Sequence, residues 1–174
     1  MLYSSPNFLT EKEKKEISKW IKRYNYDDNY PGWKYIGFSG NPELDQNRFW
    51  KLEEIDKDFF DTTLFNKVSK CLLNETGKKN KLVRSYLNGA TACQQGLYHK
   101  DGGADATALI YCNEKWDDQW GGATVFDHEG VLHTIYPRFG QLVVFSSEIP
   151  HFSSCTSRFF DGIRITLAFK IVYI

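Results

Sequence analysis

The sequence has no excess of either charge. Lys and Arg total 22, Asp and Glu total 22, and the net charge is zero. That removes the electrostatic case for a nucleic acid, a membrane surface or a strongly acidic partner. No stretch approaches the length of a membrane span. Met1-Leu2-Tyr3-Ser4-Ser5-Pro6 lacks a basic region followed by an apolar run, so no signal peptide is expected. Internal repeats, low-complexity tracts and linkers are also missing. Four cysteines are present, Cys71, Cys93, Cys112 and Cys155, but none forms a CxxC pair or a zinc-type spacing. They are expected to be reduced, mostly buried thiols in a cytoplasmic protein. The 174 residues suit one domain, 1–174, able to bury a core without disulfide or metal staples.

What the chain does have is aromatic side chains, at 16% of residues, and a change of pattern along its length. Aromatic richness reads first as a core property. Up to about residue 80 the pattern is helical. Thr10 followed by Glu13 makes a capping box, and Ile17, Trp20, Ile21 and Tyr24 then share a helical face opposite Lys15, Lys19 and Lys22. A second helix is predicted from Thr62 or Thr63 through Leu72, with Gly77 as its stop, and a strand at residues 33–38 between the two. From residue 81 short strands follow one another, at 82–87, 97–100, 107–112, 123–126, 131–136, 141–145 and 163–171. Asp127-His128-Glu129-Gly130 reads as a hairpin connection. A helical support (1–80) packed on an antiparallel β core (81–174) makes the chain mainly β with flanking helices. Among such folds the double-stranded β-helix, or jelly roll, is the one expected.

His99-Lys100-Asp101 falls at the end of a predicted strand. Side chains alternate along a strand, so His99 and Asp101 point to one side and both can grip one ion. His151 follows another predicted strand, after a turn containing Pro150. Two histidines and a carboxylate on one face of a metal leave three positions open, the arrangement of non-haem iron(II) oxygenases. An HxD alone is more often a surface turn, and a lone histidine after proline more often a loop residue. His128, in the hairpin, and His133, in the next strand, read as structural.

In the last predicted strand Arg164, Thr166, Ala168 and Lys170 share one face, and Ile165, Leu167 and Phe169 the other. Packing the apolar face on the helices puts Arg164 and Thr166 inside the barrel. There the planar Arg fork suits a carboxylate and Thr adds a hydroxyl donor. A guanidinium facing inward requires such a partner.

These residues form an ordered series. Arg84-Ser85-Tyr86-Leu87-Asn88-Gly89 is followed by His99-Lys100-Asp101, then Thr107-Ala108-Leu109-Ile110-Tyr111-Cys112-Asn113 with Trp116. Gly121-Gly122-Ala123-Thr124-Val125-Phe126, Pro137-Arg138-Phe139-Gly140-Gln141-Leu142-Val143-Val144-Phe145, His151 and Arg164-Ile165-Thr166-Leu167 complete it. The series resembles the 2-oxoglutarate/iron(II)-dependent oxygenase superfamily, in its prolyl 4-hydroxylase-like branch. The resemblance implies His99, Asp101 and His151 as iron ligands and catalytic centre. It implies Arg164 on the distal carboxylate of 2-oxoglutarate, with Tyr111 hydrogen-bonding the same carboxylate and Thr166 assisting. Tyr111 also reads as a core aromatic of its strand. Collagen-type enzymes carry lysine where Arg164 stands, and the interval from His151 is long, so Arg158 competes for the carboxylate. The implied cofactors are Fe(II), 2-oxoglutarate as cosubstrate and O2, with ascorbate an optional reductant. The implied reaction converts 2-oxoglutarate to succinate and carbon dioxide and hydroxylates an unactivated C–H bond.

For the substrate, peptidyl proline in a peptide or protein leads. A nucleobase, free amino acid or other small molecule is the alternative, and a non-catalytic jelly-roll binding module the alternative of another class. Trp116 and Trp120 read as a plug closing the barrel or as a substrate rim, with the plug preferred for Trp116. Residues 28–32 and 39–46 read as flexible substrate loops.

Overall fold

Thr10 has extended backbone angles, accepts a hydrogen bond from the Glu13 amide on its hydroxyl, and donates its own amide to the Glu13 carboxylate. This is the capping box expected from the sequence, and it opens helix α1, Glu11–Tyr26. The computed structural model describes residues 1–27, 32–36 and 49–174. Ile17, Ile21 and Tyr24 of α1 are buried while Lys15, Lys19 and Lys22 are exposed. The second helix starts earlier than its sequence signals suggest. A π-helical turn, Asp58–Leu64, leads directly into α2, Phe65–Thr76. Gly77 ends it in the left-handed conformation at φ 69, donating its amide to the Leu73 carbonyl.

Among the described residues ten strands follow the chain order: β1 Leu2–Ser5, β2 Lys34–Ile36, β3 Phe49–Leu52, β4 Asn80–Ala90, β5 Ala106–Tyr111, β6 Thr124–His128, β7 Val131–Ile135, β8 Leu142–Ser146, β9 His151–Ser153 and β10 Arg164–Tyr173. They make a seven-stranded sheet ordered β1-β8-β5-β10-β4-β3-β2 and a three-stranded sheet ordered β7-β6-β9. Every pairing of named strands is antiparallel. The period-two alternation of the strands builds two cores. Ile165, Leu167, Phe169 and Ile171 of β10 join Ile17, Leu64, Val68 and Leu72 of the helical layer, with Phe65 and Phe169 ring centroids 5.8 Å apart. Ala168 joins Leu109, Tyr111, Val143 and Phe145 of the large sheet and Phe126 of the small one in the second core, between the sheets. Two facing sheets with helices behind one of them make the jelly-roll core expected from the sequence.

Several strand expectations need correction. β1, β3 and β9 are short and were not foreseen. Residues 97–100 do not form a strand. Only His99 bridges, exchanging both backbone hydrogen bonds with His151 at 3.0 and 2.9 Å. The next bond toward β9 comes from the Gly96 amide to the Ser153 carbonyl, one residue out of step, so the ladder breaks. The predicted strand at 33–38 is seen at Lys34–Ile36, and its end lies outside the described residues, as do most of the supposed loops at 28–32 and 39–46. The hairpin behaves as read: Glu129 and Gly130 both have positive φ, 56 and 76, as a two-residue turn between twisted strands requires. The cysteines are all free, but Cys93 and Cys155 are exposed and only Cys112 is fully buried, which corrects the expectation of mostly buried thiols. No helix among the described residues is long and apolar enough to cross a membrane.

Candidate metal centre

The bridge between His99 and His151 is what brings the sequence-distant ligands together. It sets the two imidazoles side by side, ring centroids 4.5 Å apart, and Asp101 follows two residues later. The Asp101 amide donates to the Ser147 carbonyl at 3.1 Å, which ties the turn carrying the carboxylate to the chain just before His151. One ligand atom from each of His99, Asp101 and His151 lies within 4.8 Å of the others. His99 Nε2 is 3.6 Å from Asp101 Oδ1, and His151 Nε2 is 3.8 Å from Asp101 Oδ2.

Both rings are oriented by their other nitrogen. Nδ1 of His99 is 2.7 Å from the Leu97 carbonyl, and Nδ1 of His151 is 3.0 Å from that of Ile149. A carbonyl only accepts, so each Nδ1 carries the hydrogen and each Nε2 lone pair is left for an ion. The Phe126 and Phe145 rings wall His151, with centroids at 5.9 and 4.5 Å.

Burial is the largest single influence on all three groups, but it prevails only at His151. It pushes His151 down to about 4, although the Asp101 charge pulls the other way. At His99 burial also lowers, but the Asp101 carboxylate and the Leu97 carbonyl outweigh it and the pKa is raised. Asp101 is buried too, which alone would raise it. His99, Lys170 and His151 hold it well below the usual carboxylate range.

Lys170 and Thr107 belong to this centre and were given no role by the sequence reading. Lys170, 3% exposed, pairs through Nζ with Asp101 Oδ2 and donates to Thr107 Oγ1 at 3.0 Å. The Thr107 hydroxyl in turn donates to Asp101 Oδ2 at 2.6 Å. The only sequence signal was the place of Lys170 on the inward face of the last strand.

Farther along that face lies Arg164, 5% exposed. Its Nε donates to the Gly122 carbonyl and its Nη2 to Thr124 Oγ1 at 3.0 Å, and its guanidinium lies 5.5 Å from the centre of the Tyr111 ring. The Tyr111 hydroxyl shares the same Thr124 oxygen at 2.7 Å, and burial raises its pKa. Among the described residues no carboxylate lies within ion-pair range of Arg164. Thr166 and Ala168, small and buried, occupy the strand face between Arg164 and Lys170. The structure therefore groups Arg164, Tyr111 and Thr166. Arg158 is exposed and stacks on the exposed Phe159 ring at 4.9 Å.

Trp116 packs on Phe160 (4.9 Å) and Trp120 (5.7 Å) and lies against Gly122, beside Arg164. A Cβ at Gly122 would meet Trp116 Cζ2 at 2.8 Å and Arg164 Cδ at 3.1 Å, and the residue has φ +67, so only glycine fits there. His128 and His133 sit on the β6–β7 hairpin, ring centroids 6.2 Å apart, and join no ligand cluster among the described residues.

The residues fit the groups such a site would hold. Two imidazoles with fixed tautomers and one charged carboxylate suit iron(II) and leave part of its coordination open. A buried guanidinium with no counter-charge, on the face that carries Lys170 against Asp101, suits the far carboxylate of a dicarboxylic acid.

Residues 85–168 match the family model of the 2OG-Fe(II) oxygenase superfamily. No curated protein sequence matches the chain. Among solved structures it is similar to a prolyl-4-hydroxylase of Pseudomonas putida, with 16% identity, 97% of this chain and 91% of that one covered, and a TM-score of 0.71. It is similar to a Trichoplax adhaerens prolyl hydroxylase in complex with a hypoxia inducible factor peptide fragment, with 16% identity, 99% and 83% coverage, and a TM-score of 0.75. It is also similar to HygX of Streptomyces hygroscopicus, bound to nickel, 2-oxoglutarate and hygromycin B, with 11% identity, 98% and 82% coverage, and a TM-score of 0.70. The matched segment contains all three candidate ligands and Arg164, and over it the chain is similar to the 2OG-Fe(II) oxygenase superfamily. Its class is that of 2-oxoglutarate-dependent non-haem iron dioxygenases, and iron and 2-oxoglutarate are the cofactors of that class.

Proposed function

We propose that the chain, acting as one domain, hydroxylates an unactivated C–H bond of a peptidyl proline, with His99, Asp101 and His151 as the iron ligands. Arg164 holds the distal carboxylate of 2-oxoglutarate, helped by Tyr111 and Thr166. The observation that carries this assignment is the buried Arg164 without a carboxylate partner, on the strand face that also bears Lys170 against Asp101. When bound, iron(II) with 2-oxoglutarate supplies the oxidising chemistry that consumes O2 and releases succinate and carbon dioxide.

The chain's own residues prepare that chemistry. The Leu97 and Ile149 carbonyls aim the two Nε2 atoms. Arg164 is itself fixed by Gly122 and Thr124, so its fork is in place before an anion arrives. Thr166 and Ala168 put only small side chains on the strand face between the two ends of the site. Phe126 and Phe145 add apolar surface beside His151, and Trp116 adds it beside Gly122 at the Arg164 end. The substrate must then place one C–H bond at the open side of the centre in near-attack geometry.

Support for proline comes from the likeness to the Pseudomonas and Trichoplax enzymes, the second of which binds a peptide fragment. An extended proline-rich segment loses little conformational freedom on entering a cleft. HygX, which binds hygromycin B, supports the same chemistry on a small molecule as the second reading. Four free thiols suit a reducing compartment such as the cytoplasm. The test is a mass-spectrometric screen of proline-containing peptides beside nucleosides, free amino acids and other small molecules. Gain of one oxygen atom on a peptidyl proline is expected. Hydroxylation confined to the small molecules would reject proline and leave the iron and 2-oxoglutarate assignment standing.

A further inference from the structure

Lys170 is a costly residue to place where it is. An ammonium buried to 3% exposure needs charge compensation and hydrogen bonds, and an apolar side chain at that position of β10 would need neither. Both of its polar partners lie at the metal centre. Nζ pairs with Asp101 Oδ2, and it donates to Thr107 Oγ1 at 3.0 Å. The Thr107 hydroxyl, itself 1% exposed, donates to the same Asp101 Oδ2 at 2.6 Å. Register makes this a fixed arrangement: Lys170 stands opposite Thr107 across the β10–β5 ladder and opposite Arg84 across the β10–β4 ladder.

The two carboxylate oxygens of Asp101 are therefore unlike. Oδ2 is engaged by a charged and a neutral donor from the sheet floor. Oδ1 faces the His99 Nε2 at 3.6 Å and receives neither donor. A carboxylate next to a divalent ion can bind through one oxygen or through both, and the second mode uses a further coordination position. In this centre the chelating cosubstrate and O2 need every position the three ligands leave open.

We propose that Lys170 is a positioning residue which, with Thr107, keeps Oδ2 of Asp101 off the metal, so that Asp101 ligates through Oδ1 alone and the chelate's position stays free. The proposal rests on the ligand assignment made above. It separates two binding steps that simple support of Asp101 would move together. Without Lys170, Oδ2 is released toward the metal and an ammonium that repels the ion is gone, so metal affinity is kept or rises. 2-Oxoglutarate then competes with Oδ2 for its position and binds less tightly.

The experiment is calorimetric titration, without oxygen, of wild type, Lys170→Met, Lys170→Arg and Thr107→Val, first with Mn(II) and then with 2-oxoglutarate. For Lys170→Met the metal affinity is expected to stay within about threefold of wild type or to tighten, while 2-oxoglutarate affinity of the metal-loaded protein falls by about tenfold or more, the scale of an outer-shell contact. Lys170→Arg, which keeps charge and donors, is expected to recover part of the loss. Thr107→Val removes a donor without changing charge and is expected to shift 2-oxoglutarate binding in the same direction by a smaller factor. It also carries the test if Lys170→Met does not fold. Weakened metal binding with unchanged 2-oxoglutarate affinity, or no change in either, would overturn the proposal. Failure of the wild type to bind Mn(II) would instead overturn the ligand assignment on which it rests.

Discussion

At the residue scale the centre is defined by which hydrogens are already committed. His99 and His151 each bond Nδ1 to a carbonyl two residues earlier, and the two rings nevertheless hold protons differently. Burial lowers His151 to about 4, so at neutral pH it needs no deprotonation before it binds an ion. His99 is raised and must lose its proton. Metal uptake near pH 6 is therefore expected to release one proton from the pair, with affinity falling as pH drops through the His99 titration. Release of two protons in buffers of differing ionisation enthalpy would contradict the assignment. The same shifts bear on stability of the metal-free protein. His151 has a folded pKa below its ordinary 6.5, so its contribution is complete above 6.5 and is lost as pH falls toward about 4. His99 has the opposite sign: its contribution is present below 6.5 and lost as pH rises through its raised value. An unfolding series against pH on His151→Gln is expected to show a shallower acid limb than wild type, and an unchanged limb would count against the buried neutral imidazole.

Arg164 carries the second residue-scale prediction. Arg164→Ala is expected to raise the 2-oxoglutarate requirement while metal binding survives, and Arg164→Lys to rescue only in part, because a point charge replaces a planar fork. Arg158, exposed over Phe159, is expected to tolerate Ala. If Arg158→Ala carried the whole effect instead, the wrong arginine has been placed on the carboxylate.

At the scale of elements the strand β10 is the organiser. One face of it joins the helical core, and the other lays out Arg164, Thr166, Ala168 and Lys170 across the site. The turn before β6 holds one end of that layout. Gly122→Ala is expected to lower thermal stability and weaken 2-oxoglutarate binding together, since the new methyl would press on Trp116 and Arg164 at a positive φ. A variant with normal stability and affinity would show that the turn gives way. By contrast Thr10→Ala removes the cap of α1 and is expected to cost about 1 kcal/mol in denaturant unfolding with no change at the site. These elements differ in how far the sequence announces them. The face assignments of α1 and β10 follow from apolar periodicity alone, and Gly77 ends α2 because only its backbone suits the left-handed turn. His99 and Asp101 do sit together, although no regular strand holds them. A bridge to His151 does, and a bulge of that kind leaves no periodic trace. β9 is three residues long, too short to show alternation. The pairing of Lys170 with Asp101 joins positions far apart in the chain, and only the β10–β5 register reveals it.

The whole molecule holds a polar, charged centre between two largely apolar sheets, and the charges close on one another rather than on solvent. Asp101 answers Lys170, while Arg164 lacks a carboxylate answer within the described residues. That single imbalance, in a chain of zero net charge, is where an anionic cosubstrate enters the account. The most direct test is succinate formation from 2-oxoglutarate, followed together with O2 uptake, in wild type and in Asp101→Ala, His151→Ala and His128→Ala. Wild type and His128→Ala are expected to form succinate only when iron(II) and O2 are both present, and the other two variants to form none. Iron-independent turnover, or undiminished succinate from Asp101→Ala, would contradict the account.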